Sequence, residues 1–195
     1  RHRQLQEVEL QYDRRQSIIN RHRSSLAKNM SQTAAHEWAP QADGNKNKII
    51  TVGSDSFIDA IIDMQAFYAA NDILDGLNIC LTPEHMAKIR KEDKTLYKEI
   101  LNERKMYGFD VFQYSANPIY TSAGAKNPLG STLDATDLRG SFTWVTDEVF
   151  RCFGETELYA NLRDSGLQAD TLSFAQRALV GKIRANSPKY SGALI

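Results

Sequence analysis

Cysteine is nearly absent: the 195 residues contain only Cys80 and Cys152, in no CxxC or other metal-like spacing. A disulfide-rich scaffold and a cysteine-based zinc site are thereby excluded. Both thiols lie in apolar segments, where reduced, buried side chains are expected. Long apolar runs are missing too. No stretch approaches the roughly 18 apolar residues of a membrane helix, and Arg1-His2-Arg3-Gln4 lacks the apolar core of a signal peptide. No membrane partner is expected. Net charge is zero, 24 Lys and Arg against 24 Asp and Glu, so no overall field attracts nucleic acid. Gly108, Gly124, Gly130 and Gly140 compose neither GxGxxG nor GxxxxGK[ST], and no nucleotide cofactor is expected. The chain does not begin with Met, which reads as a fragment or processed product.

What is present is ordinary globular composition, 42% hydrophobic and 25% charged, enough to bury a core. From Leu5 to Ala39 there is no Gly or Pro, and Leu5, Val8, Tyr12, Ile19, Leu26, Met30, Ala34 and Trp38 recur at spacings of three, four or seven. The pattern predicts one long helix with an apolar stripe, ended by Pro40. About 35 residues at ~1.5 Å each make a rod of roughly 50 Å. Its other face carries Arg14, Arg15, Arg21, Arg23 and Lys28. A polar loop follows, then a short strand near Ile49–Gly53.

Ser54 and Asp55 are able to cap a second helix, with Phe57, Ile58, Ile61, Ile62, Gln65 and Tyr68 at helical spacing. After the Asn71–Gly76 break, Leu77–Leu81 predicts a short buried strand. Thr82-Pro83-Glu84 has the form of a helix start, and the helix is expected to run through Ile89 to Ile100 and Leu101. Met106–Tyr114 predicts a strand with Phe109 and Val111 on one face and Asp110 and Phe112 on the other. Residues 115–140, rich in Gly, Pro, Ser, Thr and Asn, predict a long surface loop. Strands are expected at Phe142–Val145, Val149–Phe153, Leu172–Ile183 and Gly192–Ile195. Helices followed by strands, without regular βαβ alternation, argue for an α+β fold.

The residues able to carry chemistry do not converge. His85 follows Cys80 by five positions, yet the cysteine sits inside a predicted strand and the histidine in the next helix's first turn; a packed thiol and a helix-terminus histidine are expected. His22 and His36, 14 residues apart on one helix, lie ~21 Å from each other, too far to share a metal; surface or interface roles are expected. Asp59 and Asp63, Glu99 and Glu103, and Asp147-Glu148 are carboxylate pairs of the kind that chance supplies at this acidic content. Residues 1 to 40 hold seven Lys or Arg against four Asp or Glu, but Glu7, Glu9 and Asp13 interrupt the basic patch and no aromatics interleave with its arginines. No catalytic, cofactor-binding or metal-ligating residue is assigned, and no cofactor.

Four phrases in order carry a family resemblance. The helix with Tyr12-Asp-Arg-Arg-Gln-Ser-Ile-Ile19, ending in His36-Glu-Trp-Ala-Pro40, resembles the spine helix of major capsid proteins from tailed phages of gut Bacteroidetes, the crAss-like phages included. Asn78-Ile-Cys-Leu-Thr-Pro-Glu-His-Met86, running on to Glu92-Asp-Lys-Thr-Leu-Tyr97, is similar to a strand-then-helix phrase of their axial domain. Tyr107-Gly-Phe-Asp-Val-Phe-Gln-Tyr114, with the loop from Tyr120-Thr-Ser-Ala-Gly124, resembles the next strand and loop. Phe142-Thr-Trp-Val145, Gly154-Glu155 and Leu179-Val-Gly-Lys-Ile-Arg184 resemble the closing strands.

The resemblance implies a Hong Kong-97-like fold: residues 1–53 as spine helix and part of a peripheral domain, 54–170 as axial domain, 171–195 as closing strands of the peripheral domain. It implies no enzyme but a structural subunit of an icosahedral phage capsid, made in the bacterial host cytoplasm. Its partners would be copies of itself in pentamers and hexamers, other capsid or portal proteins, and packaged DNA held without sequence readout. The family's N-terminal arm and extended loop would precede residue 1, so weak association is expected of this chain. The alternatives are an encapsulin-like cellular shell protein, a DNA-binding module using the basic first helix, and a hydrolase with the 115–140 loop as lid and His85 or an acidic pair as catalyst.

Overall fold

The computed structural model describes residues 14–44, 46–53, 55–164, 169–183 and 190–195. The first helix, α1, is described over Arg14–Trp38; the part expected at Leu5–Asp13 lies outside the described residues. It stops at Trp38, two residues before Pro40, whose missing N–H and ring prevent continuation.

Next come β1 (Asn47–Ile50) and α2 (Phe57–Ala69). Ser56 caps α2 by accepting from the Asp59 amide. Phe57, Ala60, Ile61, Met64 and Tyr68 are buried along one face, the stripe the spacing predicts. After β2 (Leu77–Leu81) the expected single helix is two, α3 (Pro83–Glu92) and α4 (Lys94–Glu103). Asp93 causes the break. It leaves helical geometry (φ −139°, ψ 109°) and its carboxylate accepts from Thr95 and Leu96 amides, capping α4 as α3 ends.

The expected strand at Met106–Tyr114 is also two pieces, β3 (Lys105–Met106) and β4 (Phe109–Gln113), paired antiparallel. Between them Tyr107 and Gly108 have φ of 46° and 83°, both positive as a tight primed hairpin turn requires. The predicted faces hold: Phe109 and Val111 are buried, Asp110 and Phe112 exposed. Within 115–140 the chain forms a small antiparallel pair, β5 (Ile119–Tyr120) with β6 (Leu138–Arg139). Its first limb is not a surface loop, because Asn117, Ile119 and Tyr120 are buried.

β7 (Ser141–Val145) and β10 (Ser191–Leu194) complete a six-stranded mixed sheet of order β1-β10-β7-β2-β4-β3. Residue alternation divides its two faces. Leu77, Ile79, Leu81, Phe109, Val111, Val145 and Leu194 join the core with α2, Met86, Ile89 and Ile100. Cys80 and Phe142 take the other face, covered by Ala35, Trp38 and Ala39 at the end of α1, while Tyr120 packs on Ala193 and Ile195. With cover on both sides, every residue of β2 is buried, which explains why it is apolar except at Asn78, whose amide donates to Gly76 O and Thr146 Oγ1.

β8 (Val149–Asp164) and β9 (Ala169–Lys182) form a separate two-stranded sheet. Glu148 O accepts from Ile183 N, Gly181 faces Phe150, and Gly154 faces Arg177, the descending order of an antiparallel ribbon. By contact the chain groups into two units, the described part of Arg1–Ser31 with Arg151–Leu179, and Gln32–Phe150 with Val180–Ile195. The segment expected as one closing piece, 171–195, is therefore divided: β10 lies in the six-stranded sheet.

Gly192 of β10 leaves the space that Met64 of α2 fills. A Cβ there would overlap Met64 Sδ and come within 2.7 Å of Thr143 Oγ1. Gly192→Ala is expected to lower stability by about 1–3 kcal/mol through overpacking, measured by chemical denaturation. The same change in a Met64→Ala background is expected to cost less.

Candidate functional site

The residues singled out in the sequence occupy separate places. Cys80 is buried on one face of the sheet, where its thiol donates to Asn117 Oδ1 (3.4 Å) and its carbonyl accepts from Asn117 Nδ2 (3.0 Å). Burial pushes the thiol up to about 12, the opposite of an activated nucleophile. Cys152, expected to be buried, is exposed, in a stretch of β8 (151–159) whose side chains are all exposed. His22 stacks on Phe174 at 5.2 Å, whereas His36 pairs with the Asn127 carbonyl at 3.1 Å. Asp59, Asp63, Glu99, Glu103 and Asp147 are exposed. Among the described residues no group of three or more His, Cys, Asp or Glu is placed to hold a metal ion.

His85 has the most enclosed polar setting. Its Nδ1 lies 2.7 Å from Ser141 Oγ, which also accepts from the Thr82 amide (3.0 Å), and its ring tilts over Phe57 at 4.5 Å. A serine and a histidine at this distance have the geometry of a nucleophile and its base. Both are sealed, at 0% and 5% exposure, and the hydroxyl is engaged by backbone. The network ties α3 to β7 and α2. On its outer side Glu92, at the end of α3, accepts from the Phe57 and Ile58 amides (2.9 and 3.2 Å) and from Ser56 Oγ (3.1 Å). These bonds hold its carboxyl below the ordinary value and satisfy the free amides of α2's first turn.

A second polar cluster gathers at the C-terminus of α1. Lys126 Nζ donates to the carbonyls of His36 (2.7 Å) and Ala39 (3.1 Å). Lys182 Nζ reaches Ala39 O at 3.3 Å, and Tyr120 OH donates to Pro40 O at 2.9 Å. Main-chain and side-chain bonds between Gln41 and Lys126 add to it. Burial lowers the Lys126 ammonium and Glu37 partly opposes that shift. Sequence reasoning missed this lysine. Its one signal was a lone long cation in a stretch of small polar residues, opposite a helix end whose carbonyls need donors.

Beside that cluster lies an open cavity of about 40 Å³ lined by His36, Asn117, Pro118, Leu129 and Arg139 among others. It has room for a few waters and is far below the ~300 Å³ of ordinary small-molecule pockets. His85 and the carboxylate pairs are not among its lining residues.

The remaining feature is a surface. In the unit formed by the first part of α1 with β8 and β9, no described side chain is buried. Phe153, Leu158, Tyr159 and Leu179 are all 45% exposed or more.

Comparison with known structures follows the same lines. A chain in the mature capsid of bacteriophage PhiM1 is similar over 97% of this chain and 67% of its own (TM-score 0.61, 17% identity). A chain of Mycobacterium phage Che8 is similar over 99% and 67% (TM-score 0.69, 13% identity). One in the capsid of cyanophage P-SCSP1u is similar over 97% and 68% (TM-score 0.60, 14% identity). This chain thus has a mixed helix-and-sheet fold found in phage capsids, and it spans about two thirds of the length of those chains. No family model matches the sequence, and no curated protein is significantly similar to it.

Two substitutions probe the clusters. Burial, with the charge of Lys88 second, lowers the His85 imidazole from 6.5 to about 4. The unfolded chain takes up that proton near pH 6.5 and the folded chain only near 4, so stability falls as pH drops through this window. Denaturation at pH 7 and 4.5 is expected to show a smaller acid loss in His85→Gln than in the unsubstituted chain, by about 2 kcal/mol. Lys126→Met, which keeps the stem and removes the donor, is expected to lower stability at pH 7 by about 1–3 kcal/mol.

Proposed function

We propose that this chain is a structural subunit of an icosahedral phage capsid, which self-associates to enclose DNA, with a Hong Kong-97-like division into peripheral and axial domains. In this reading α1 is the spine helix and joins the β8–β9 ribbon in the peripheral domain, and the six-stranded sheet with α2, α3 and α4 is axial. That moves the axial boundary from residue 170 to about 150 and takes β10 out of the closing peripheral strands. The crAss-like relationship rests on the four sequence phrases alone.

One observation carries the proposal: a unit made of half a long helix and two strands of 16 and 14 residues in which no described side chain is buried. A two-stranded ribbon is marginal in water by itself, and its unpaired edges template further strands. Apolar side chains at 45–63% exposure on such a ribbon, Phe153, Leu158, Tyr159 and Leu179, fit a surface that neighbouring copies cover. The likeness to capsid chains supports the same reading, as does the failure of His85, Cys80 and the carboxylates to share a pocket. Pentamers, hexamers, portal contacts and sequence-independent DNA contacts belong to this proposal, as do a place in the virion and synthesis in the host cytoplasm.

Sedimentation velocity across a concentration series tests it. The chain is expected to associate as concentration rises, and Leu158→Asp with Leu179→Asp to weaken that association at least tenfold while the melting temperature changes little. Monomer at every concentration would refute the proposal.

A further inference from the structure

The neutral total conceals a sharp segregation of charge. Residues 14–36 carry five Lys or Arg, at 14, 15, 21, 23 and 28, and no Asp or Glu. Residues 49–87 carry six Asp or Glu, at 55, 59, 63, 72, 75 and 84, and no Lys or Arg. In the structure the first run is α1, with Arg21, Arg23 and Lys28 exposed. Arg14, Arg21 and Lys28 are seven residues apart in sequence, one face of a helix at steps of ~10.5 Å. The second run contains α2, whose buried stripe faces the sheet and whose outer face presents Asp59 and Asp63, one turn apart, with Asp55 just ahead of the helix. Between the carboxylates stands Ile62, 40% exposed, so this face has an apolar centre as well as acid. The Asp59 and Asp63 carboxylates have no cation near them in sequence to offset their charge, the nearest being Lys48 and Lys88.

We infer that the basic face of α1 docks against the acidic outer face of α2 on a second copy of this chain. The inference rests on the self-association reading and names which surfaces meet. Two different surfaces of one chain that complement each other make a head-to-tail contact, which closes into rings or propagates. Opposite potentials steer the encounter and fix its register, and like-charged faces repel, so α1 against α1 and α2 against α2 are both disfavoured. A contact built this way weakens with salt. Nucleic acid is the competing occupant of α1. The second copy is favoured because the chain itself supplies a matching face of opposite sign, and because the arginines are not interleaved with the aromatic platforms that hold single strands.

Charge reversal provides the test, read by sedimentation velocity and light scattering at about 50 and 500 mM salt, where screening lengths differ severalfold. Arg21→Glu with Lys28→Glu, and separately Asp59→Lys with Asp63→Lys, are each expected to weaken self-association at least tenfold at the lower salt. All four side chains are exposed, and circular dichroism and thermal melting verify that each variant folds. An equimolar mixture of the two variants is expected to regain association, since each carries the partner that the other lacks. Association unchanged in both variants, or a mixture that stays monomeric while the unsubstituted chain associates, overturns the inference and leaves the self-association reading standing. If the unsubstituted chain does not associate, both fall. If the α1 variant loses salt-sensitive binding to duplex DNA and keeps its self-association, the basic face belongs to nucleic acid and the inference is wrong.

Discussion

A helix that ends on a sheet must find donors for its last carbonyls, and in this chain that requirement organises one whole face of the larger unit. The carbonyls of His36, Ala39 and Pro40 are met by Lys126, Lys182 and Tyr120, which come from the 115–140 segment and from the end of β9. Meeting them fixes the first limb of that segment against Ala193 and Ile195, and with it the second cover of the sheet. Trp38 is held over Trp144 and Phe142 in consequence. Without this anchor β2 would be buried on one side only, whereas all five of its residues are buried.

The opposite face obeys a different logic. There α2 and α3 supply an ordinary apolar layer, and the polar groups serve to fix helix starts: Ser56 and Glu92 for α2, Thr82 for α3, Asp93 for α4. His85 and Ser141 sit within this system as a sealed bridge. Their partners are structural, and burial that lowers the imidazole keeps it neutral across the physiological range.

Legibility in the sequence tracked whether an element faced a core of its own. α2 and β2 were readable because a helix packed on a sheet must repeat its apolar residues at 3.6 and a strand covered on both faces is mostly apolar, whereas α1, whose end alone packs on the sheet, was readable from its apolar spacing and its lack of Gly and Pro. The division at Asp93 escaped notice since one residue ended α3 and began α4 without Gly or Pro. Tyr107-Gly108 hid a turn because Phe109–Gln113 alternates cleanly and no further signal marks the break; the two-residue turn pairs Met106 with Phe109 and buries both, where continuous alternation would set them on opposite faces. The length of β8 and β9 was unreadable for a deeper reason: no described side chain of the ribbon is buried, Cys152 included, so these side chains display no burial pattern. The polar clusters depend on residues distant in sequence, Lys126 with His36 and Ser141 with His85, whose meeting no local spacing announces.

If the chain is the capsid subunit proposed above, neighbouring copies cover the β8–β9 ribbon. Electron-microscopic reconstruction of the assemblies that the proposed capsid subunit would form at high concentration measures that directly. The account predicts rings of subunits in which Phe153, Leu158, Tyr159 and Leu179 lie against adjacent copies; ordered particles in which the ribbon projects into solvent, touching no neighbour, would contradict it.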